Sequence, residues 1–370
     1  MLRYLLLILL AVHGSIHLTG FINGYRLVNV GQFSSVPTKA AAIAWLITTL
    51  LFTTAIILYL SKSEYWWMIT SLAIILSQTL IILHWKDARF GSFVNLLFIV
   101  PIILAFGHWK FNATYQNQLT RIQSQNRPKP YTVVSGDMLH QLPGPVRRWL
   151  EVSNIVGKPI AQSIFLHQKG EMKTAPNGKW TAFEAEQHTT LNNAAFIWKT
   201  EIQVSPFLVI SGLDKYENGT GSMTMKLYNL FPVAHSTGPE TDQGSLLRYL
   251  AEICWAPSAS LNENIQWEQI DQLSAKATIR SEHAKASGIF IFNRDGDFER
   301  FEADRYYIKG KEKPRLEKWV VNTVPGAYRL FDGVRIPYKS ELTWLLKEGT
   351  YNWLRVELTD INYNYNHNSK

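Results

Sequence analysis

The sequence predicts two unlike parts: an α-helical membrane bundle of four spans, then an α+β domain dominated by a curved antiparallel β-sheet. Three observations carry that reading. Charge is unevenly spread, since residues 1–109 hold only six of the 37 Lys/Arg and two of the 29 Asp/Glu. The same stretch contains four long apolar runs. Beyond it, alternating apolar and polar residues are punctuated by Asn-Gly and Asp-Gly pairs, the turn chemistry of antiparallel hairpins. A length of 370 residues leaves room for more than one domain. The boundaries fall at 1–109 for the spans, 110–135 for a polar juxtamembrane linker, and 136–370 for the soluble domain.

The four runs are Tyr4–Ile22, Ala40–Leu60, Trp66–Trp85 and Ser92–Trp109. Each is close to the ~20 residues a helix needs to cross the hydrocarbon. Lipid offers no partner to backbone N–H and C=O groups, so helices are the expected form. Trp66, Trp67, Trp85 and Trp109 sit at run ends, where amphipathic rings favour the interface. The first run is long, lacks a small-x-small cleavage site and precedes three more, so it reads as a retained span. With both ends on one side, Arg3, Lys62, Lys110, Arg121, Arg127 and Lys129 oppose Arg26, Lys39, Lys86 and Arg89. The positive-inside rule tips the C-terminal domain towards the cytoplasm by six to four.

Polar residues within the spans form a second pattern. His13 and His17 are four apart and share a helix face. His84 and Asp87 close the third run, Asn95 lies in the fourth and His108 ends it. Such a histidine cluster suits haem, a quinone, a metal or a proton relay; the plainer reading is interhelical hydrogen bonding. The sequence shows no third ligand beside His13 and His17, so no metal is expected. Pro101 is expected to kink the fourth span.

In the soluble part, Ser135 offers a cap and Pro145 a first turn for a short helix through Leu150. Strand patterns follow from Ile164. The clearest are Trp180–Gln187, Ala195–Val204, Asn218-Gly219 leading into Met223–Leu227, and Trp353–Tyr363, whose alternation slips once before Ile361. Gly288–Phe301 reads as a hairpin with a type I′ turn at Asp295-Gly296. About ten strands joined by short turns imply one large, curved or half-barrel sheet. A single helix interrupts them, capped by Gly244-Ser245 and running from Leu246 to Trp255.

No dinucleotide-binding, P-loop, zinc-protease or hydrolase-elbow motif occurs. Cys254 is the only cysteine, so an internal disulfide and a cysteine-built metal cluster are excluded. It lies in an apolar helix and reads as structural. The net charge of +8 is divided equally between the two parts without a Lys/Arg stripe, so no nucleic-acid partner is expected. The candidate ligand-binding residues are Arg248, Glu252, Trp180, Glu184, Trp198 and Trp255, with Asp242 nearby in sequence. Arg248 and Glu252 are four apart on one helix face, where they would pair. They either grip a ligand carboxylate or phosphate through the Arg fork or tie the helix to the sheet.

Four stretches carry a resemblance. They are Leu142-Pro-Gly-Pro-Val-Arg-Arg-Trp-Leu, Gly178-Lys-Trp-Thr-Ala-Phe-Glu-Ala, Phe196-Ile-Trp-Lys, and the run from Gly238-Pro-Glu-Thr-Asp through Trp255-Ala-Pro. Through them, residues 140–365 resemble an uncharacterised bacterial family, a domain of unknown function. That family implies no activity or catalytic residue. It includes chains without membrane spans, which implies a cytoplasmic domain. By hydropathy alone the helices resemble DoxX-type bundles, and a curved sheet with covering helices is similar to lipoprotein-carrier folds.

The expected function is binding of a lipid-like or other apolar ligand by the β domain of a membrane protein, with membrane lipids as its surroundings and no cofactor. The alternatives are a quinone- or haem-linked redox protein using His13, His17 and His84, and an enzyme using the Arg248/Glu252 pair.

Overall fold

The structure is a computed structural model, described for residues 2–28, 34, 36–126, 129–206, 208–281, 284–308, 310 and 312–364. Arg127, counted above among the topology charges, lies outside the described residues. The chain divides into two compact units, Met1–Asn112 and Ala113–Lys370.

The first unit is helical: α1 (Leu2–Gly24), α2 (Lys39–Leu60), α3 (Trp66–Leu83), the short α4 (Trp85–Ala88) and the part of α5 (Gly91–Gln125) up to Asn112. The long helices α1, α2, α3 and α5 are long and apolar enough to cross a membrane. The fourth run does not stop at Trp109. No Gly or Pro interrupts residues 110–125, so the front of the expected linker continues as α5. The helix also runs on through Pro101. Leu10, Phe52, Ala73 and Phe98 are packed inside. Gly20 lets α1 meet α2 closely, because a Cβ there would lie 2.4 Å from the Trp45 ring. Leu5, Ile75, Phe93 and Val100 face outward, an arrangement that suits lipid and would be costly in water.

After the end of α5, the second unit has α6 (Gly136–His140) and α7 (Gly144–Val152), where Pro145 occupies the first turn. Six strands follow: β1 (Ser163–Met172), β2 (Thr181–Thr190), β3 (Ala195–Ser205), β4 (Leu208–Glu217), β5 (Thr220–Leu227) and β6 (Phe231–Thr237). Helix α8 (Pro239–Glu252) and two 3₁₀ turns, Ile253–Trp255 and Pro257–Leu261, come next. Then come β7 (Ile265–Gln269), β8 (Ser274–Arg280), β9 (Lys285–Phe292), β10 (Phe298–Tyr307) and β11 (Arg315–Thr323). The set ends with the β12–β13 hairpin (Tyr328–Phe331, Val334–Pro337), β14 (Lys339–Leu346) and β15 (Gly349–Asn364).

Thirteen strands form one antiparallel half-barrel sheet in the order β6-β5-β4-β3-β2-β1-β15-β14-β11-β10-β9-β8-β7. The edges are β6 and β7, and α8 joins them. It crosses the concave face and packs on β4, β5 and β6 at one end and on β8, β9 and β10 at the other. Burial is the driving force. Trp149 of α7 packs with Phe290, Phe292, Phe298 and Trp267, and Phe301 and Trp319 extend the cluster. Each such ring removes a large apolar area from water.

Local chemistry accounts for the turns. Asn218 and Gly219 both have positive φ, the type I′ geometry expected between β4 and β5. At Asp295-Gly296 only Gly296 is positive, and Asn293 N–H donates to Asp297 O, so this hairpin has a longer loop rather than the expected type I′ turn. The slip in β15 is a bulge: the register with β1 shifts where Asp360 faces His167 and Leu358 faces Gln168. Strands β6 and β13 escaped the sequence pattern, since Pro232 interrupts the one and four residues make up the other. The α8 start also differs. It lies at Pro239, with Glu240 and Asp242 in the first turn, not at Gly244-Ser245.

Candidate functional site

The concave face of the sheet and α8 enclose a cavity of about 120 Å³. Apolar walls come from Met172, Phe183, Trp198, Met225, Trp319 and Trp353, among others. Nine strands contribute lining residues, so the site exists only once the half-barrel has curled. Charged groups stand on one side: Arg248 and Glu252 from α8, Asp214 from β4 and Arg305 from β10.

Arg248 is held on every side. Its Nε–H donates to Glu252 Oε1 at 2.8 Å, Nη1–H to Asp214 Oδ2 at 2.9 Å and Nη2–H to Gln187 Oε1 at 2.8 Å. Gln187 Nε2–H closes the ring by donating to Glu252 Oε2 at 2.6 Å. The Phe196 and Trp198 rings both lie 4.9 Å from the guanidinium carbon. Burial works against the Arg248 charge, but Glu252 and Asp214 outweigh it and hold the guanidinium above its ordinary value. Burial pushes the Asp214 carboxyl above the usual carboxylate range, only partly offset by Arg248. Asp214 Oδ1 is buried and accepts no hydrogen bond among the described residues. Of the two roles open to the Arg fork, gripping a ligand or tying helix to sheet, the geometry fits the second: Glu252, Asp214 and Gln187 fill the fork and tie α8 to β2 and β4.

Arg305 differs. Its guanidinium carbon lies 4.7 Å from the Trp319 ring and 5.7 Å from Trp344. No carboxylate or carbonyl pairs with it among the described residues. Burial first, and then repulsion from Arg248, pull its guanidinium down to about 10, so it keeps its charge at neutral pH. Room for it comes from Gly244, which the helix tolerates in its interior. Alternation places it: Phe301, Ala303 and Arg305 share one strand face, and the first two are core.

The structure brings Arg248, Glu252, Trp198 and Trp255 together at the cavity. It does not bring Trp180 or Glu184 there. Phe183 and Ala185 point inward, so Glu184 between them faces out, into a groove of about 740 Å³ rich in Lys–Glu and Arg–Glu pairs. Trp180 stacks outside on Lys173 and Arg355, at 4.7 and 4.4 Å. Asp242 accepts from the Gly221 N–H at 2.6 Å and anchors α8 to β5. Cys254 lines the cavity at 2% exposure, and burial pushes its thiol well up, which disfavours the nucleophilic thiolate. Sequence reasoning missed Gln168, Gln187, Asp214 and Arg305. The signal was a polar residue in phase with core residues on a strand.

In the helical unit, Asn95 Nδ2 donates to Ser77 Oγ at 3.0 Å and to Gln78 Oε1 at 3.1 Å. That fixes Asn95 Oδ1 as an acceptor, so His13 Nε2–H donates to it at 2.9 Å. His17 Nε2 lies 3.4 Å from His13 Nε2. His84 is bonded instead to Leu80 O at 3.1 Å, with its ring 5.9 Å from Trp45. A cavity of about 250 Å³ borders His13 and His17. Among the described residues no three His, Cys, Asp or Glu side chains are grouped to hold a metal.

A family model described as a family of unknown function, DUF6544, matches residues 132–356. No curated protein matches the sequence significantly. Two solved structures align with it. One is a putative outer membrane lipoprotein-sorting protein domain from Vibrio parahaemolyticus, at 8% identity and TM-score 0.33, covering 61% of this chain and 92% of that one. The other is a DUF1329 family protein from Desulfovibrio piger, at 10% identity and TM-score 0.34, covering 64% and 98%. At that similarity neither says what this chain binds. The DoxX-type likeness of the helices has no support in these matches.

Proposed function

The chain belongs to DUF6544, a family of unknown function, and from that premise we propose that its β domain binds an apolar or lipid-like ligand in the cavity beneath α8. The observation that carries this is the cavity wall. Met172, Phe183, Trp198, Met225, Trp255, Trp319 and Trp353 surround a space that tight packing would otherwise fill. At about 120 Å³ the space takes a small ring or a short chain segment. Four helices long and apolar enough to cross a membrane support a lipid-like ligand.

The other two readings have less behind them. An enzyme using Arg248 and Glu252 would need free donors or a free carboxylate oxygen, and the ring with Gln187 and Asp214 engages them. A redox role for the membrane histidines draws on the His13–His17 cavity, yet His13 is already engaged with Asn95.

The test is native mass spectrometry of the full chain in detergent, with an Ala251→Phe variant that fills the cavity. We expect a non-detergent mass bound to the wild type and absent from Ala251→Phe. An empty wild-type protein, or a mass that Ala251→Phe retains, would remove the reading.

A further inference from the structure

We propose that Arg305 anchors the head of the ligand, so that the cavity takes an amphiphile ending in a carboxylate or phosphate. This rests on the apolar-ligand reading and names the ligand's polar end. The cavity holds two arginines and two carboxylates, but they are not two pairs. Asp214 and Glu252 both bond Arg248, which also bonds Gln187. Arg305 is left with five N–H donors, stacked on Trp319 and aimed into the same cavity, with no acceptor among the described residues. Arg305 is half-buried, and a partly desolvated cation with no partner among the described residues is costly to keep, so folds ordinarily pair it or replace it.

The fold makes room for the group rather than excluding it. Gly244 lies inside α8, where Ala would favour the helix, and a Cβ there would come within 2.9 Å of Arg305 Nε. A planar guanidinium with its fork free matches a carboxylate or phosphate in bidentate fashion. Asp214 Oδ1 adds an open acceptor on the β4 side of the same cavity. It suits the P–OH of a phosphate monoester monoanion. The apolar walls take the chain that follows.

The probes are hexyl phosphate, hexanoate, 1-hexanol and inorganic phosphate, titrated against the full chain in detergent. Calorimetry reads the binding, and tryptophan fluorescence provides a second signal. Short chains match the cavity and stay largely out of micelles. Charge-assisted hydrogen bonds are strong enough that both anionic amphiphiles should bind about tenfold or more tightly than hexanol. In Arg305→Met that preference should vanish while hexanol still binds. Gly244→Ala, which keeps the arginine but displaces it, should lose the preference too.

Equal affinity for hexanol and hexyl phosphate in the wild type would overturn the headgroup role and leave the apolar-ligand reading standing. Inorganic phosphate binding as tightly as hexyl phosphate would assign Arg305 to a free anion and overturn the amphiphile. A cavity that takes none of the four probes would overturn both readings.

Discussion

Gly244 of α8 and Arg305 of β10 occupy complementary space: the glycine lacks the one carbon that would sit 2.9 Å from the arginine's Nε. A helix interior usually disfavours glycine by about 1 kcal/mol relative to alanine. Here that cost accompanies a second one, a half-buried cation that bonds no carboxylate among the described residues. Two locally unfavourable choices at one point are a departure from the local consistency that the rest of the domain shows.

Arg305→Met should stabilise the β domain, because a partly desolvated charge with no partner among the described residues gives way to an apolar side chain of similar length. Arg305 is half-buried and stacked on Trp319, so the gain is modest, about 1–2 kcal/mol. For a unit of this size that raises the unfolding midpoint by roughly 2–4 °C per kcal/mol. Differential scanning fluorimetry would show it, and a lower midpoint would mean that Arg305 has a structural partner.

Arg248 should behave in the opposite way. Arg248→Met leaves Asp214 and Glu252 facing each other in the cavity, with Gln187 short of a donor. Loss of one partner from such a buried network costs about 3–5 kcal/mol. Adding Asp214→Asn and Glu252→Gln to the same chain should recover most of the lost stability. The triple variant is the check, since failure to recover would show that Arg248 acts by packing between Phe196 and Trp198.

Asp214 sets a pH dependence. Burial raises its folded-state value above the usual carboxylate range. Between those two values the folded domain holds a proton that the unfolded chain has lost. Its contribution to stability therefore declines as pH rises through that window and is recovered on acidification. A melting series from about pH 4 to pH 7, set against Asp214→Asn, isolates the effect. The variant should melt with a flatter profile.

Cys254 should resist alkylation. It is buried and its thiol is pushed well up, so the reactive thiolate is scarce. Iodoacetamide should label it only once the β domain unfolds. Fast labelling of the folded chain would show that the cavity opens to solvent near Trp255.

In the helical unit, Asn95→Leu removes the acceptor of His13 and the donor to Ser77 and Gln78. Interhelical hydrogen bonds in membranes are worth about 0.6–2 kcal/mol. The variant should lower the thermal midpoint of the unit measurably, whereas His84→Ala should change it less. Equal effects would argue against a polar core centred on His13.

The sequence determined the parts. Four apolar runs of membrane length lack any other sensible backbone solution, and the helices lie where those runs are. Asn218-Gly219 specified its turn because both residues must take positive φ there. Alternation in β15 placed Leu358 and Ile361 inside, and the slip between them is the bulge against β1. These are local matters, decided within a few residues. The family was legible as well, from short stretches around Trp149, Trp180, Trp198 and Arg248.

The make-up of the cavity was decided by the tertiary structure. Arg248 and Glu252 look from sequence like a free ionic pair. Only the curl of the sheet brings Gln187 from β2 and Asp214 from β4 to fill the fork. Trp180 and Glu184 sit close to other cavity residues in sequence, yet the two-residue period of the strand turns Glu184 outward. Arg305 lies more than fifty residues after Gly244, and no local pattern links them. A cavity arises from contacts between strands far apart in the chain. Its polar balance is a property of the assembled network and not of any one segment.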